Sequence, residues 1–331
     1  MDCPKFGHIY LTNICGNRCA HCPVRLRYPF SRGITADFDD VARYTREFAE
    51  LGGRWIEYSG GDVTLFDRLP ELLELCNGLG MKSSISLSGS NVVARIKSWG
   101  EKWLRLPFRL RISDEGGKDY LDAYRGRGNS VALQEILGAT SRVRAPASYE
   151  LVFTLVPGNG GNINRANFDA VLGLAKQLGI LVNLNPLFGT DFVGNKVEVD
   201  LLWANLTSEQ RRDIAWIVCQ PQINQQSLKK LEFLYKGGNA IANPSCRSGR
   251  ATLTVFNNRL LLPCYQNPHG IIPIIGSLQS TILTKEYQVE ADLSGTFDIC
   301  FGCMIWCNLI PSWALDHIED IPAWENDLLG M

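Results

Sequence analysis

The sequence predicts an α/β fold: a partial (β/α)6 barrel followed by a small C-terminal module of β-hairpin and loop. Three observations carry that expectation. Short apolar runs alternate with helically spaced segments from residue 8 to about 188. Their lengths fit about six parallel βαβ units with right-handed crossovers. Near residue 240 the alternation gives way to a hairpin and loops, before a closed eight-unit barrel is complete, so the barrel is expected to be open.

In chain order, HIYLTNI is the first strand and leads into a cysteine-bearing loop. TADFDDVARYTREFAELG is a helix, with Thr35 as the expected N-cap and Gly52 at its stop. WIEYS is a strand that breaks at Gly60-Gly61. FDRLPELLELCNGLG is a helix with Cys76 on its buried face, and KSSISLSGS is a strand. SNVVARIKSWGEKW is a helix and FRLRIS a strand. NSVALQEILGATSRV, ASYELVFTLVPGN, INRANFDAVLGLAKQLG and ILVNLNPLF complete the series as helix, strand, helix and strand. Two helices follow, SEQRRDIAWIVCQ and QQSLKKLEFLYKG. ATLTVFNNRLLLP then reads as a hairpin turning at Asn257-Asn258. A boundary near 240 divides the chain into residues 1–240 and 241–331. Repeats and low-complexity segments are absent from the sequence.

The 331 residues suffice for a substantial core, and 45% hydrophobic with 20% charged residues is a globular mixture. A formal net charge of −1 without a long basic run gives no electrostatic reason to expect nucleic acid or a membrane surface as partner. The start, MDCPKFGHIY, has neither signal-peptide nor transit-peptide character, and no apolar stretch approaches the ~18 residues of a membrane span. A cytoplasmic protein is expected.

The eleven cysteines cluster at the two ends. An odd number in a chain with no export signal argues against a disulfide framework and for metal binding by thiolates. Cys15, Cys19 and Cys22 fall within eight residues, in NICGNRCAHCP. Three thiolates can hold three irons of a 4Fe–4S cube and leave the fourth iron open to a small molecule. The alternative is a zinc site completed by a distant His or Cys, or by His21.

C-x3-C-x2-C in the loop after the first strand of a βα-repeat chain resembles the radical S-adenosylmethionine (SAM) superfamily, over roughly residues 8–190. Tyr58-Ser59-Gly60-Gly61-Asp62 is similar to the family's Gly-Gly-Glu segment, which contacts the methionine amino group, with Asp62 in place of the usual Glu. His21 matches the ring residue usually found before the third cysteine. Ser86-Leu87-Ser88 and Arg111-Ile112-Ser113-Asp114 end the third and fourth strands, where the family places groups facing the ribose, the carboxylate and the substrate. The resemblance implies that Cys15, Cys19 and Cys22 hold a 4Fe–4S cluster. It also implies reductive cleavage of SAM to a 5′-deoxyadenosyl radical, hydrogen abstraction from a substrate C–H bond, and an electron donor such as flavodoxin or ferredoxin.

Cys246 and Cys264, then Cys300, Cys303 and Cys307, form a second set. Its spacing, C-x17-C then C-x2-C, is similar to the Twitch arrangement of amino-sugar alcohol dehydrogenases, and more broadly to SPASM modules. That implies one auxiliary 4Fe–4S cluster on Cys246, Cys264, Cys300 and Cys303, with Cys307 spare or substituting. A full SPASM pattern has seven cysteines and a Gly four residues before the second. Here there are five, and the turn is Asn257-Asn258-Arg259. A structural zinc is the alternative in this module too.

Polar residues on strands facing the barrel interior are candidates for the substrate site: Glu57, Arg109, Arg111, Asp114, Glu150 and Asn185. Arg109 and Arg111 share a strand face and can bind a carboxylate or phosphate, or else pair internally with Glu57 or Glu150. Tyr58 and Glu150 are candidates for proton transfer. RGRGNS (125–130) is either an anion cradle at a helix N-terminus or a plain loop, and Arg125 in it is a cofactor-side candidate. Cys3, Cys76, Cys219 and the isolated His8 are expected to be incidental.

The expected function is a radical SAM enzyme acting on a small molecule (a sugar, amino alcohol or nucleoside), with the auxiliary cluster relaying an electron. Cys15 lies too near the start for an ~80-residue peptide-recognition domain to precede the barrel, which favours a small substrate. A peptide-modifying maturase is the alternative. A non-enzymatic iron–sulfur or zinc protein is the alternative from another class.

Overall fold

The computed structural model describes residues 3–19, 22, 30–89, 91–143, 149–158, 160–187, 206–235, 246–264, 267–297, 300 and 312. Six parallel strands follow one another across a single sheet: β1 (Phe6–Thr12), β2 (Trp55–Gly60), β3 (Lys82–Leu87), β4 (Arg109–Ser113), β5 (Tyr149–Leu155) and β6 (Leu181–Pro186). They order as β6-β5-β4-β3-β2-β1, the arrangement that successive right-handed βα units produce. The expected α/β class and partial barrel are therefore present.

The helices between them are α1 (Phe38–Glu50), α2 (Leu69–Gly78), α3 (Asn91–Trp99), α4 (Lys118–Arg125), α5 (Asn129–Val143) and α6 (Arg165–Leu178). They pack on one face of the sheet. Ile9, Leu11, Ile56, Tyr58, Ile85, Leu87, Leu110, Ile112, Leu151, Phe153, Val182 and Leu184 alternate along the strands and join the helices in one buried cluster. The opposite strand face carries His8, Glu57, Ser84, Arg109, Arg111, Glu150 and Asn183, by the registers of β1 to β6. Period-two alternation thus separates an apolar outer layer from a polar lumen.

The chain continues through α7 (Ser208–Ile217) and α8 (Gln225–Tyr235) to the edge of β6. Val182 N–H donates to Gln222 O (2.8 Å) and Asn224 N–H to Val182 O (2.9 Å). The Leu184 N–H donates to Ser227 Oγ (2.8 Å). This segment satisfies edge groups that would otherwise be open to another strand.

Beyond Cys246 come α9 (Ser248–Ala251), β7 (Thr252–Phe256), β8 (Arg259–Cys264), β9 (Asn267–Pro273), α10 (Leu278–Ile282) and α11 (Lys285–Asp292). The hairpin turns where expected, with Asn257 and Asn258 both at positive φ (48° and 59°). It does not stand apart from the barrel. β7 pairs in parallel with β1, Phe6 opposite Thr252 through Tyr10 opposite Phe256, so the sheet runs on as β1-β7-β8-β9.

Several local expectations are corrected. The N-cap of α1 is Asp37, whose carboxylate accepts from the Asp39 and Asp40 N–H groups. Thr35 instead bridges to Thr12, hydroxyl to hydroxyl at 3.1 Å, because the chain there is held against β1. The helix expected through Trp103 breaks at Gly100 (φ 70°), and Glu101–Arg105 forms a separate 3-10 turn. Helix α4 and strand β9 have no counterpart in the sequence reading. No helix among the described residues is long and apolar enough to cross a membrane.

Candidate functional site

The three N-terminal thiols sit at the C-terminal end of β1, in a loop fastened at its base. Asn13, fully buried, donates from its N–H to Ile34 O (3.0 Å) and from Nδ2 to Arg32 O (3.0 Å). Its Oδ1 accepts from Ile34 N–H (2.7 Å). Thr12 Oγ1 donates to Ile34 O (3.0 Å) and accepts from Ile14 N–H (3.0 Å). Together these bonds close the loop so that residues 13 and 34 meet.

Gly60 and Gly61 press against the other side of that base. Gly61 N–H donates to Thr12 O (2.7 Å) and Asp62 N–H to Ile14 O (2.9 Å). A Cβ at Gly60 would lie 2.2 Å from Thr12 O, and one at Gly61 2.1 Å from Ile14 O. In the structure these glycines admit the cysteine loop's own backbone. Asp62 caps the short turn at Val63–Leu65, accepting from Thr64 N–H (3.0 Å) and Thr64 Oγ1 (2.6 Å), while its Oδ2 accepts from Asn91 on α3 (2.9 Å). Its charge reaches Cys15.

Asn17 ties the loop to two further elements. Its Nδ2 donates to Ser88 Oγ beyond β3 (3.3 Å), its Oδ1 accepts from Asn129 Nδ2 at the start of α5 (3.2 Å), and its N–H donates to Cys15 Sγ (3.4 Å). The RGRGNS segment is therefore a dock for the cysteine loop: Arg18 N–H donates to Arg125 O (2.9 Å), and Asn129 Nδ2 to Gly126 O (2.7 Å) as well as to Asn17. Arg125, buried in the last turn of α4, pairs through two nitrogens with the fully buried Glu115, and its Nη1 points at Cys19 Sγ (3.8 Å). Asn13, Asn17, Glu115 and Asn129 were missed from the sequence, since each becomes notable only through a partner distant in the chain.

Burial pushes the Cys15 thiol up to about 12. Burial likewise pushes Cys19 up to about 11, against the opposing pull of Arg125. Cys15, Cys19 and Cys22 influence one another electrostatically, none is in a disulfide, and Cys22 N–H donates to Cys19 O (3.1 Å). Among the described residues, no three His, Cys, Asp or Glu side chains converge closely enough to hold one metal ion. A single zinc needs its donors at about 2.0–2.3 Å from one point. A four-iron cube takes each thiolate on a different iron, so three neighbouring thiols spread along one loop fit the larger group. His21 lies outside the described residues.

Below the loop, the lumen holds two ion pairs. Arg109 donates to Glu150 (2.9 Å), both about 5% exposed, and Glu150 also accepts from Asn183 (3.1 Å) and Asn224 (3.3 Å). Arg111 donates to Glu57, and these side chains are 23% and 19% exposed. Burial alone would raise both carboxyls. Arg111, His8 and Arg109 outweigh it at Glu57, as Arg109, Arg111 and Lys230 do at Glu150, and both stay below the usual range. Burial lowers His8, against the opposing pull of Glu57. Lys230 of α8, unnoticed in the sequence, enters from the β6 side and donates to Asn183 and Asn185. Ser59 and Ser113 end β2 and β4, half-buried.

Two other candidates lie elsewhere. Tyr58 points to the helical layer, its hydroxyl bonded to Thr45 Oγ1 (2.9 Å). Asp114 follows β4 and turns outward to line a cavity of about 640 Å³ beside α4, α5 and α6; burial pushes its carboxyl up to about 7. The structure brings neither into the lumen.

Cys246 precedes α9, and β8 returns antiparallel to end at Cys264, so the hairpin places both near the end of the sheet where β1 begins. Ser294, just past α11, accepts from Gly249 N–H of α9 (2.9 Å), which brings the chain leading to Cys300 to the same end. Cys303 and Cys307 lie outside the described residues. The two cysteine sets therefore flank the sheet at opposite strand ends, separated by the length of β1, roughly 20 Å at about 3.3 Å per residue.

Residues 9–160, a little under half of the chain, match the family model described as Radical SAM superfamily, and this stretch is a radical SAM superfamily domain. No curated protein matches the chain. Among solved structures, native anSMEcpe with bound AdoMet is similar at 11% identity and a TM-score of 0.59, over 97% of this chain and 98% of that one. Native anSMEcpe with bound AdoMet and Cp18Cys peptide is similar at 11% identity and 0.56, over 98% and 99%. Streptococcus suis SuiB bound to precursor peptide SuiA is similar at 12% identity and 0.51, over 91% of this chain and 66% of that one. At such identities the likeness is one of fold.

Proposed function

We propose that the chain is a radical SAM enzyme whose Cys15, Cys19 and Cys22 hold a 4Fe–4S cluster with one open iron, and whose lumen holds a small polar substrate. The observation that carries this reading is the three-thiol loop at the strand C-termini, closed by Asn13 and seated on Gly60-Gly61 within the radical SAM domain. When bound, the cluster would supply the electron for reductive cleavage of SAM, and with it radical chemistry at a substrate C–H bond.

The protein's part is binding, orientation and exclusion of water. Gly60-Gly61-Asp62, Ser59, Ser88 and Ser113 lie at the strand ends around the loop and are our candidates for holding SAM, with His21 beside the third thiol. Within the lumen, the buried Arg109–Glu150 pair is a floor, and the more accessible Arg111–Glu57 pair is the one placed to meet substrate. Arg111 offers a guanidinium fork for a carboxylate or phosphate. Glu57, held ionised, offers a base for the hydroxyl proton of an alcohol whose carbon has lost its hydrogen atom. Cys246, Cys264, Cys300 and Cys303 are proposed to hold an auxiliary 4Fe–4S cluster, with Cys307 spare, at the far end of the same strands. There it would accept an electron from the lumen side.

A second reading has one observation in its favour. The structures of similar fold include anSMEcpe with a Cp18Cys peptide and SuiB with a precursor peptide, so a peptide substrate fits the same architecture.

Anaerobic reconstitution with iron and sulfide, followed by dithionite and SAM, tests the core of the reading. About eight irons per chain and formation of 5′-deoxyadenosine are expected. Four irons or fewer with no 5′-deoxyadenosine overturns it. Adding a low-molecular-weight extract fraction or a peptide fraction, and reading which accelerates 5′-deoxyadenosine formation, separates the two substrate classes.

A further inference from the structure

We infer that Arg125, locked by Glu115, is a positioning residue that sets the reduction potential of the cluster at Cys15, Cys19 and Cys22. This rests on the reading that those thiols hold a cluster. Arg125 lies 106 residues from Cys19, yet its Nη1 is 3.8 Å from the Cys19 sulfur, the outer limit of a hydrogen bond to sulfur. Two of its nitrogens are committed to Glu115, which is completely buried. A bidentate partner fixes the plane of a guanidinium, so the remaining nitrogen is aimed by geometry rather than left to search.

The backbone adds a second restraint. Arg18 N–H donates to Arg125 O (2.9 Å), so the residue beside Cys19 is bonded to the residue whose side chain faces Cys19. Asn129, four residues beyond Arg125, and Asn17, one before Arg18, hold the same two segments together. The loop and the α4–α5 turn therefore move as one piece, and the distance from guanidinium to sulfur is fixed.

The chemical consequence follows from charge. Reduction adds one electron to a cluster whose sulfur ligands already carry negative charge, at a point where the Cys19 side chain is buried from water. Cluster potentials respond to hydrogen bonds and charges at the sulfurs and to exposure. A fixed cation at Cys19 favours the reduced state, and the opposed charge of Glu115 moderates it. Neither residue needs to touch SAM or substrate to do so.

The experiment is an EPR-monitored redox titration of the reconstituted full chain, following the signal that disappears in Cys19→Ala. Arg125→Gln is expected to lower the reduced-to-oxidised ratio at fixed poise about tenfold, a shift of about 59 mV for one electron. Arg125→Lys should recover part of it. Arg125→Gln alone leaves Glu115 buried without its cation, so the double variant Arg125→Gln/Glu115→Gln, which buries no net charge, is measured beside it and should also titrate below wild type. Wild-type potentials in the double variant with iron retained overturn the inference while leaving the cluster assignment standing. Absence of any Cys19-dependent signal in the wild type overturns both.

Discussion

At the scale of single residues, the site depends on small groups in crowded places. Gly60 holds φ 136° beside the Thr12 carbonyl, and any side chain there must displace the base of the cysteine loop. Asp114 shows the opposite use of burial, a carboxyl kept from ionising on the outer side of the sheet, with Gly116 N–H donating to its Oδ1 (3.0 Å). Its native pKa of about 7 lies above the unfolded value of about 3.9. The folded state therefore binds the extra proton between these values. Its contribution is complete below about pH 4 and is lost as pH rises toward 7. The stability difference between wild type and Asp114→Asn should fall with rising pH across that window, by at most about 1.4 kcal/mol per pH unit. Urea midpoints at pH 5 and pH 7 read this directly, and a pH-independent difference would contradict it. None of this was legible from Asp114 in the sequence, where its position after a strand suggested the lumen. Side-chain direction changed as the chain left β4.

At the scale of elements, the cysteine loop was readable because its cysteine spacing is local, and the alternation of strands and helices because periodicity is local. What α8 does was not readable. Its amphipathic pattern identifies a helix but not the strand edge it covers. Ser227 Oγ accepts the buried Leu184 N–H, and Lys230 reaches Asn183 and Asn185 from the same helix. Ser227→Ala should strip that amide of its acceptor and cost about 1–3 kcal/mol. Faster hydrogen exchange at Leu184 than at the other β6 amides would accompany it. Unchanged stability and exchange would show that the edge is held by the 222–224 segment alone. The RGRGNS turn teaches the same lesson: two glycines before a helix fit an anion cradle equally well until Asn129 is seen on Asn17.

At the scale of the whole molecule, β7 lies against β1, the strand that also feeds the cysteine loop. Leu253, Val255, Leu260 and Leu262 belong to the same buried cluster as Ile9 and Leu11. Loss of the C-terminal hairpin would expose an edge of β1 and half its packing. Unfolding should accordingly be one cooperative transition, with far-UV circular dichroism and tryptophan fluorescence giving the same midpoint. Two separated transitions would show that the hairpin melts on its own. The same arrangement puts the two cysteine sets at opposite strand ends with the lumen between them.

By itself the sequence determined the α/β repeat, the open barrel, the three-thiol loop and the shared strand face of Arg109 and Arg111. Each is set by spacing along a few residues, where covalent geometry leaves little choice. Only the tertiary structure decided which Arg took which Glu, that Arg125 faces Cys19, and that the hairpin joins the barrel's sheet. Those outcomes depend on contacts between residues tens to hundreds of positions apart. Burial selects among them, because a charge or strand edge removed from water must find its partner wherever the fold brings one.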